Sequence, residues 1–193
     1  MEKSSLLTDK LLFNKKVWYL RKLFCYLLFF EGMAVHHLYC RQVLDTDINT
    51  AWDFFSQPGN LKKITPEFMG FDILSVSGPE KLHAGQIINY IVKPFAGIPL
   101  NWVTEITHVK KPFFFVDEQR LGPFFFWHHK HYLETHESGQ VVMIDSVHYK
   151  VFYGLMGNLL NRWIVKNRLD HIFDYRVAVI QKMFGQKPVD QVI

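Results

Sequence analysis

The sequence predicts a single α+β domain. A curved antiparallel sheet of about seven strands wraps around one long C-terminal helix, and two short helices follow the first strand. Three observations predict this fold. Seven segments between residues 35 and 150 alternate apolar and polar residues or are rich in β-branched residues. Most connections between them are short, which favours an antiparallel meander. Residues 157–184 contain no proline, no glycine after the first residue, and apolar residues at every third or fourth position.

The domain begins with one strand and two short helices. VHHLYCRQVL (35–44) alternates as a strand does. DTD (45–47) then provides N-cap residues for a helix over INTAWDFFS, which Pro58 ends. A second short helix, GNLKKI (59–64), ends before Pro66.

Three strands follow, and their polar residues assign the faces. The segments are FDILSV (71–76), GQIINYIV (85–92) and LNWVTEITHV (100–109). Because successive strand residues point to opposite faces, Asn89, Lys93 and Glu105 mark the outer face. The residues predicted to face the interior are Ile88, Tyr90, Trp102, Thr104 and Ile106.

The last three strands are the most informative, because they place polar residues on the predicted inner face. They are FFFVDEQRLG (113–122), FFWHHKHYLE (125–134) and QVVMIDSVHYK (140–150). We assign Glu118, Arg120, Lys130, Glu134 and Lys150 to the outer face. The residues that then face inward are Phe115, Asp117, Gln119, Trp127, His129, His131, Leu133, Met143, Asp145, Val147 and Tyr149. Buried polar groups are costly unless they are hydrogen-bonded. The sequence therefore predicts a pocket with a polar floor and aromatic walls.

Composition narrows the class of partner. The chain has 193 residues, enough for one domain, and 18 of them are Phe. Residues 1–32 carry six Lys and Arg against three Asp and Glu, whereas the remainder carries 16 against 15. The near-neutral body has no basic stripe, so we expect no nucleic-acid partner. Cys25 and Cys40 match no metal-binding spacing.

The first 32 residues leave three alternatives open. NKKVWYLRKLFCYLLFFEG (14–32) places basic residues before and within an apolar run of eight residues, too short to span a bilayer. Translation beginning at Met33, an interfacial amphipathic anchor and a signal-like segment are each compatible with it. We therefore expect an extension (1–32), a ligand-binding domain (33–186) and a tail (187–193). The predicted location is the cytoplasm, with membrane association through residues 14–31 as an alternative.

Four stretches of the chain resemble the START-like, or SRPBCC, superfamily, and especially its bacterial coenzyme-Q-binding and polyketide cyclase/dehydrase-like group. The stretches are DTDINTAWDFFSQPGNLKKITP (45–66), GIPLNWVTEITHV (97–109), FVDEQRLGPFFFWHHKHYLE (115–134) and IFDYR (172–176). The resemblance implies a helix-grip fold that holds a hydrophobic ligand between the sheet and the C-terminal helix. It does not name that ligand, because this fold carries many functions.

The predicted function is binding or carriage of a hydrophobic small molecule such as a lipid, isoprenoid, quinone or polyketide-like compound. The predicted ligand-binding residues are Tyr90, Trp102, Thr104, Phe115, Asp117, Gln119, Trp127, His129, His131, Met143, Asp145, Tyr149 and Trp163. The alternative is a cyclase- or dehydratase-type enzyme in which Asp117, His129, His131 and Asp145 exchange protons. That alternative expects burial to raise the pKa of a carboxylate. A third hypothesis is an adaptor that presents exposed aromatic residues to another protein.

Neither a metal nor a cofactor is predicted. His129 and His131 share a strand face, and Asp117 or Asp145 could supply an oxygen ligand. A His–Asp pair more often forms a hydrogen bond, however, and the strand registers are unknown from sequence. The Asp/Glu-x-x-His-x4-His sequence of Rieske oxygenases is absent.

Two surface features complete the predictions. The clusters FFF (113–115) and FFFW (124–127) place aromatic rings on both faces of the sheet. They predict either a lipid portal, with peripheral membrane contact, or a homodimer interface. Arg162, Asp170 and Arg176 are predicted to lie on the solvated face of the long helix.

Overall fold

The computed structural model describes residues 34–94, 97–136, 139–152, 157, 159 and 161–185. The extension over residues 1–32, with its alternative interpretations, and the tail over residues 187–193 lie outside the described residues. No helix within the described part of the chain is both long enough and apolar enough to cross a membrane.

The sheet has the seven predicted strands. They are β1 (His36–Leu44), β2 (Asp72–Val76), β3 (Ile87–Val92), β4 (Leu100–Lys110), β5 (Phe114–Leu121), β6 (Phe126–Thr135) and β7 (Val141–Lys150). The strand order is β1-β7-β6-β5-β4-β3-β2, and all neighbours are antiparallel. Strands β2 to β7 form the predicted meander. The short helices separate β1 from β2 along the chain, and β1 pairs with β7 at one edge of the sheet.

Two short helices follow β1 as predicted. Helix α1 (Ile48–Phe55) is capped by Asp47, whose carboxylate accepts hydrogen bonds from the backbone N–H groups of Asn49 and Thr50. Helix α2 spans Pro58–Leu61, so Pro58 begins the second helix as well as ending the first. Proline suits the first turn of a helix because its φ is already helical and no N–H is needed there.

Helix α3 (Lys166–Phe184) packs on the sheet through Leu169, Phe173, Val177 and Ile180, which recur at helical spacing and are buried. A π-helical turn, Asn161–Val165, precedes it. This turn was not predicted, and its wider hydrogen-bond spacing interrupts the regular period of the α-helix.

The apolar spacing over residues 157–184 predicts a buried helix face, and this prediction is partly wrong. The predicted face consists of Leu159, Leu160, Trp163, Ile164, Leu169, Ile172, Phe173, Ile180, Met183 and Phe184. Four of its members are exposed: Leu159, Trp163, Ile164 and Met183. The first three lie within or before the π-helical turn, and Met183 lies in the last turn of α3. Leu160 lies outside the described residues.

The predicted inner face of the sheet agrees with the observed burial. Asp117 and Gln119 are half-buried. All other residues predicted to face inward are buried: Ile88, Tyr90, Trp102, Thr104, Ile106, Phe115, Trp127, His129, His131, Leu133, Met143, Asp145, Val147 and Tyr149. Period-2 alternation therefore assigned the faces correctly, including the polar positions.

Candidate functional site

A cavity of about 160 Å³ lies between the sheet, the short helices and α3. Most of its walls are aromatic or aliphatic. Residues that form them include Phe54, Leu61, Met69, Phe71, Ile88, Tyr90, Trp102, Ile106, Phe115, Trp127, Met143, Leu169 and Phe173. Asp117, His129 and His131 provide a polar area on this surface.

Strand register brings four polar residues together. His129 pairs with Asp117 on β5, and His131 pairs with Asp145 on β7. His129 and His131 are two residues apart on β6 and therefore share a face. The four side chains meet on the inner face of the sheet, although they come from three strands.

The four side chains alternate between carboxylate and imidazole. Oδ2 of Asp117 lies 2.8 Å from Nε2 of His131 and 3.4 Å from Nδ1 of His129. Oδ1 of Asp145 lies 2.9 Å from Nε2 of His129 and 2.8 Å from Nδ1 of His131, the latter outside hydrogen-bond geometry. We call these four residues the Asp–His cluster. Each ring thus has one nitrogen near each carboxylate.

The surroundings of the Asp–His cluster shift the pKa values of its two imidazoles in opposite directions. Burial lowers the pKa of His129, and the neighbouring charge on His131 lowers it further. Burial also disfavours charge on His131, but its contacts with both carboxylates outweigh burial and raise its pKa. His131 is therefore the more basic of the two imidazoles.

The carboxylates differ from the sequence-based expectation. Burial is the strongest influence on Asp117 and acts to raise its pKa, yet the two histidines together lower the pKa below its ordinary value. The same balance places the pKa of Asp145 well below its ordinary value. The expected raised carboxylate pKa is therefore wrong, because each acid faces two imidazoles.

Arg176 completes the charge balance, and its predicted position on the solvated face of the long helix is wrong. It is buried on α3 and lines the cavity, with Nη1 3.9 Å from Oδ2 of Asp145. Its guanidinium stacks 4.8 Å from the ring centre of Phe173. Arg176 lies at helical spacing from Leu169, Phe173 and Ile180, which indicates the buried face. The prediction followed its charge instead. Arg162 is exposed, as predicted, and Asp170 is half-buried and paired with Lys166.

The structure brings most of the predicted ligand-binding residues to the cavity. Those that line it are Tyr90, Trp102, Thr104, Phe115, Asp117, Trp127, His129, His131 and Met143. Tyr90 and Thr104 form a hydrogen bond of 2.8 Å between their hydroxyl groups. Nε1 of Trp102 is buried with no hydrogen-bond partner among the described residues.

Four predicted residues lie outside the lining. Asp145 lies behind the two histidines, and Tyr149 packs on the ring of Phe124. Gln119 instead closes the β5–β6 turn, with its amide bonded to both the N–H and the carbonyl of Phe124. Trp163 is 68% exposed, because the π-helical turn points it away from the sheet.

A second cavity of about 160 Å³ adjoins the first. Its lining includes Phe124, Phe152 and Val165. The residues that line both cavities are Met69, Trp102, Leu169 and Ile172. These four side chains form the wall between two apolar compartments.

Solved structures decide the fold. Norcoclaurine synthase from Thalictrum flavum superposes with a TM-score of 0.58 over 81% of this chain and 98% of that chain, at 13% identity. A protein from Thermus thermophilus gives a TM-score of 0.60 over 76% and 95%, at 11% identity. The major latex-like protein 151 of Panax ginseng gives 0.57 over 80% and 100%, also at 11% identity.

The chain has the helix-grip fold. The fold that the resemblance to START-like proteins implied is thereby confirmed, although identities this low show the fold alone. No protein-family model matches the sequence, and no curated protein matches it either. The Asp–His cluster lies in the interior between the sheet and the C-terminal helix of this fold.

Proposed function

We propose that this helix-grip protein binds and carries a hydrophobic small molecule in the cavity between the sheet and α3. Lipids, isoprenoids, quinones and polyketide-like compounds are the candidate classes. The observation that carries the proposal is an interior space with aromatic and aliphatic walls and one polar area, the Asp–His cluster. Ligand pockets commonly combine an apolar lining with a few polar groups that fix orientation.

The apolar walls would supply most of the affinity. Burial of each methylene group of a ligand contributes about 0.8 kcal/mol before the costs of association. Trp102 also has a buried N–H without a partner in the described structure. An oxygen acceptor on the ligand would satisfy that donor, because an unpaired buried polar group is unfavourable.

The two compartments limit the size of the ligand. A cavity of about 150 Å³ holds a benzene molecule, so the first compartment suits a single ring or a short chain. A longer ligand would need Met69 and Leu169 to change rotamer, which would join the two cavities. The proposal therefore favours a compact polar head with an apolar tail of moderate length.

Mass spectrometry of organic extracts from natively purified full-length protein tests the proposal. The wild type is expected to retain a defined apolar compound. Ile88→Phe fills the cavity and is expected to reduce retention at least about tenfold, whereas Ile91→Phe changes the opposite face of the same strand and should retain it. The carrier function is rejected if wild-type extracts are empty and the protein takes up no apolar fluorescent probe.

One observation favours an enzyme as the second candidate. The hydrogen-bonded pair Asp117–His131 lines the cavity, where it could exchange a proton with a bound substrate. A cyclase- or dehydratase-type reaction is the class that such a pair supports. Incubation of the extracted ligand with fresh protein, followed by mass spectrometry, tests it. Conversion that His131→Gln abolishes without loss of binding would establish catalysis, and recovery of unchanged ligand would support carriage alone.

A further inference from the structure

The Asp–His cluster has two sides that differ in their surroundings. On the cavity side, Nδ1 of His129 and Nε2 of His131 converge on Oδ2 of Asp117. On the far side, Nε2 of His129 and Nδ1 of His131 converge on Oδ1 of Asp145. Asp117, His129 and His131 line the cavity, whereas Asp145 does not.

When both imidazoles are neutral and direct their N–H groups toward Asp145, a positive charge is needed on the cavity side of the cluster. A neutral imidazole has one N–H and one lone pair. If each ring directs its N–H toward Asp145, both lone pairs point at the Asp117 carboxylate. Two lone pairs and an anion repel one another unless a cation lies between them, and the cation is either a proton or a metal ion.

The spacing of these atoms matches a metal coordination sphere. With zinc–ligand bonds of about 2.1 Å, neighbouring ligand atoms in a tetrahedron lie about 3.4 Å apart. The distances from Asp117 to the two imidazole nitrogens are 2.8 and 3.4 Å, and one ligand atom from each of the three residues lies within 4.8 Å of the others.

The surrounding groups also suit a metal centre. Histidine ligands commonly donate their second N–H to a carboxylate. Asp145 forms this hydrogen bond with Nε2 of His129, and its Oδ1 lies 2.8 Å from Nδ1 of His131. Nε1 of Trp127 donates to Oδ1 of Asp117 at 3.3 Å, leaving Oδ2 toward the histidines. Two imidazoles and one carboxylate are a ligand set used for zinc and other divalent transition metals, with the remaining position open.

We propose that Asp117, His129 and His131 bind one divalent transition metal ion, Zn²⁺ in the first instance, with an open coordination position directed into the cavity. No metal was predicted from the sequence, because His–Asp pairs more often form hydrogen bonds and the register that brings Asp117 to the histidines was unknown. The proposal does not require the hydrophobic ligand, although an oxygen atom of a bound molecule could fill the open position. Asp145 is a positioning residue in this site.

Isothermal titration calorimetry of chelator-treated, tag-free full-length protein with Zn²⁺ tests the site. One ion per chain is expected for the wild type. His129→Asn and His131→Asn are each expected to weaken binding more than about 100-fold, and Asp145→Asn by about 10- to 100-fold. His128→Asn is the matched control, because His128 lies on the outer face of the same strand and pairs with Glu118.

Substitution with Co²⁺ keeps the test valid if the variants unfold. Four-coordinate Co²⁺ with a mixed nitrogen and oxygen ligand set gives stronger visible absorption than six-coordinate Co²⁺ in water, so the wild type alone reports coordination. The proposal is overturned if the wild type binds neither ion, or if well-folded His129→Asn and His131→Asn bind as tightly as His128→Asn. Uptake of an apolar probe by the metal-free protein would show that the carrier function survives such a result.

Discussion

At the scale of single residues, the site depends on charges that balance one another inside an apolar interior. Contacts with two carboxylates favour a positive charge on His131, and Arg176 supplies another 3.9 Å from Asp145. Isolated buried charges are strongly unfavourable, so each member depends on the others.

Arg176→Met tests this dependence, because methionine fills a similar space without charge. We expect a loss of about 3 kcal/mol in the free energy of unfolding, since Asp145 would lose its nearest guanidinium. Urea unfolding measures the loss. Arg162→Met should change stability by less than about 0.5 kcal/mol, because Arg162 is exposed. Equal stabilities for the two variants would contradict the charge-balance account.

Gln119→Ala separates structure from ligand binding at a predicted site residue. The substitution leaves the N–H and carbonyl of Phe124 without their side-chain partner, so we expect a loss of about 1–3 kcal/mol in unfolding free energy. Retention of the apolar ligand by the folded variant should be unchanged, because Gln119 does not line the cavity. Full stability with lost retention would restore the ligand-binding role predicted from sequence.

At the scale of elements, the strands and their antiparallel order were largely predictable, and their register was not. Alternation and β-branched residues mark the ends of a strand and its faces, because both depend on local geometry. Register depends on bulges, and β4 and β5 shift register twice along their length. The proximity of Asp117 to His129 and His131 follows from the β5–β6 register, so sequence identified the residues but not their contacts.

The helices illustrate the same limit. Asp47 and Pro58 are local signals, and they marked the short helices well. The π-helical turn Asn161–Val165 has no such signal in its composition. It changed the exposure of Trp163, whose predicted place in the pocket is wrong for that reason. The burial of Arg176 was missed because arginine is seldom buried unless it is paired, and its partner Asp145 is remote in sequence.

The cap of α1 gives a prediction with a defined pH dependence. Hydrogen bonds from Thr50, first from its side chain and then from its backbone, lower the pKa of Asp47. A lowered pKa stabilises the fold above the unfolded-state value, and this contribution disappears as pH falls through the folded-state pKa. Asp47→Ala should therefore lower the urea midpoint at pH 7 but not near pH 2.

A matched control for that measurement lies in the same helix. Asp53 is exposed in the middle of α1 and caps nothing. Asp53→Ala should leave the urea midpoint close to wild type at both pH values. A loss for Asp47→Ala that persists unchanged at low pH would contradict an ionised cap.

At the scale of the whole molecule, the interior is divided into two compartments by a thin wall. Leu169→Ala should open this wall, because Leu169 is one of its four side chains. We expect a cost of about 2–5 kcal/mol in stability and a shift of preference toward longer ligands in a series of fatty acids or alcohols. Competition with a fluorescent apolar probe measures the preference.

Leu133→Ala provides the comparison for the opened wall. Leu133 is also buried, in the part of the core formed with Leu44 and Ile180, and it lines neither cavity. It should cost similar stability without changing the preferred length. A shift of the same size in both variants would show that the wall does not limit the ligand.

The place of β1 has a consequence for the order in which the molecule is made. β1 is the first strand of the sheet to leave the ribosome, yet its neighbour in the sheet is β7, the last, with His36 opposite Tyr149. Gln42 of β1 also donates to the carbonyl of Val177 on α3. The first strand must therefore wait, unpaired, for almost the whole domain to be synthesised. Both the β1–β7 pairing at one edge of the sheet and the ligand cavity form only when the last part of the domain has been translated.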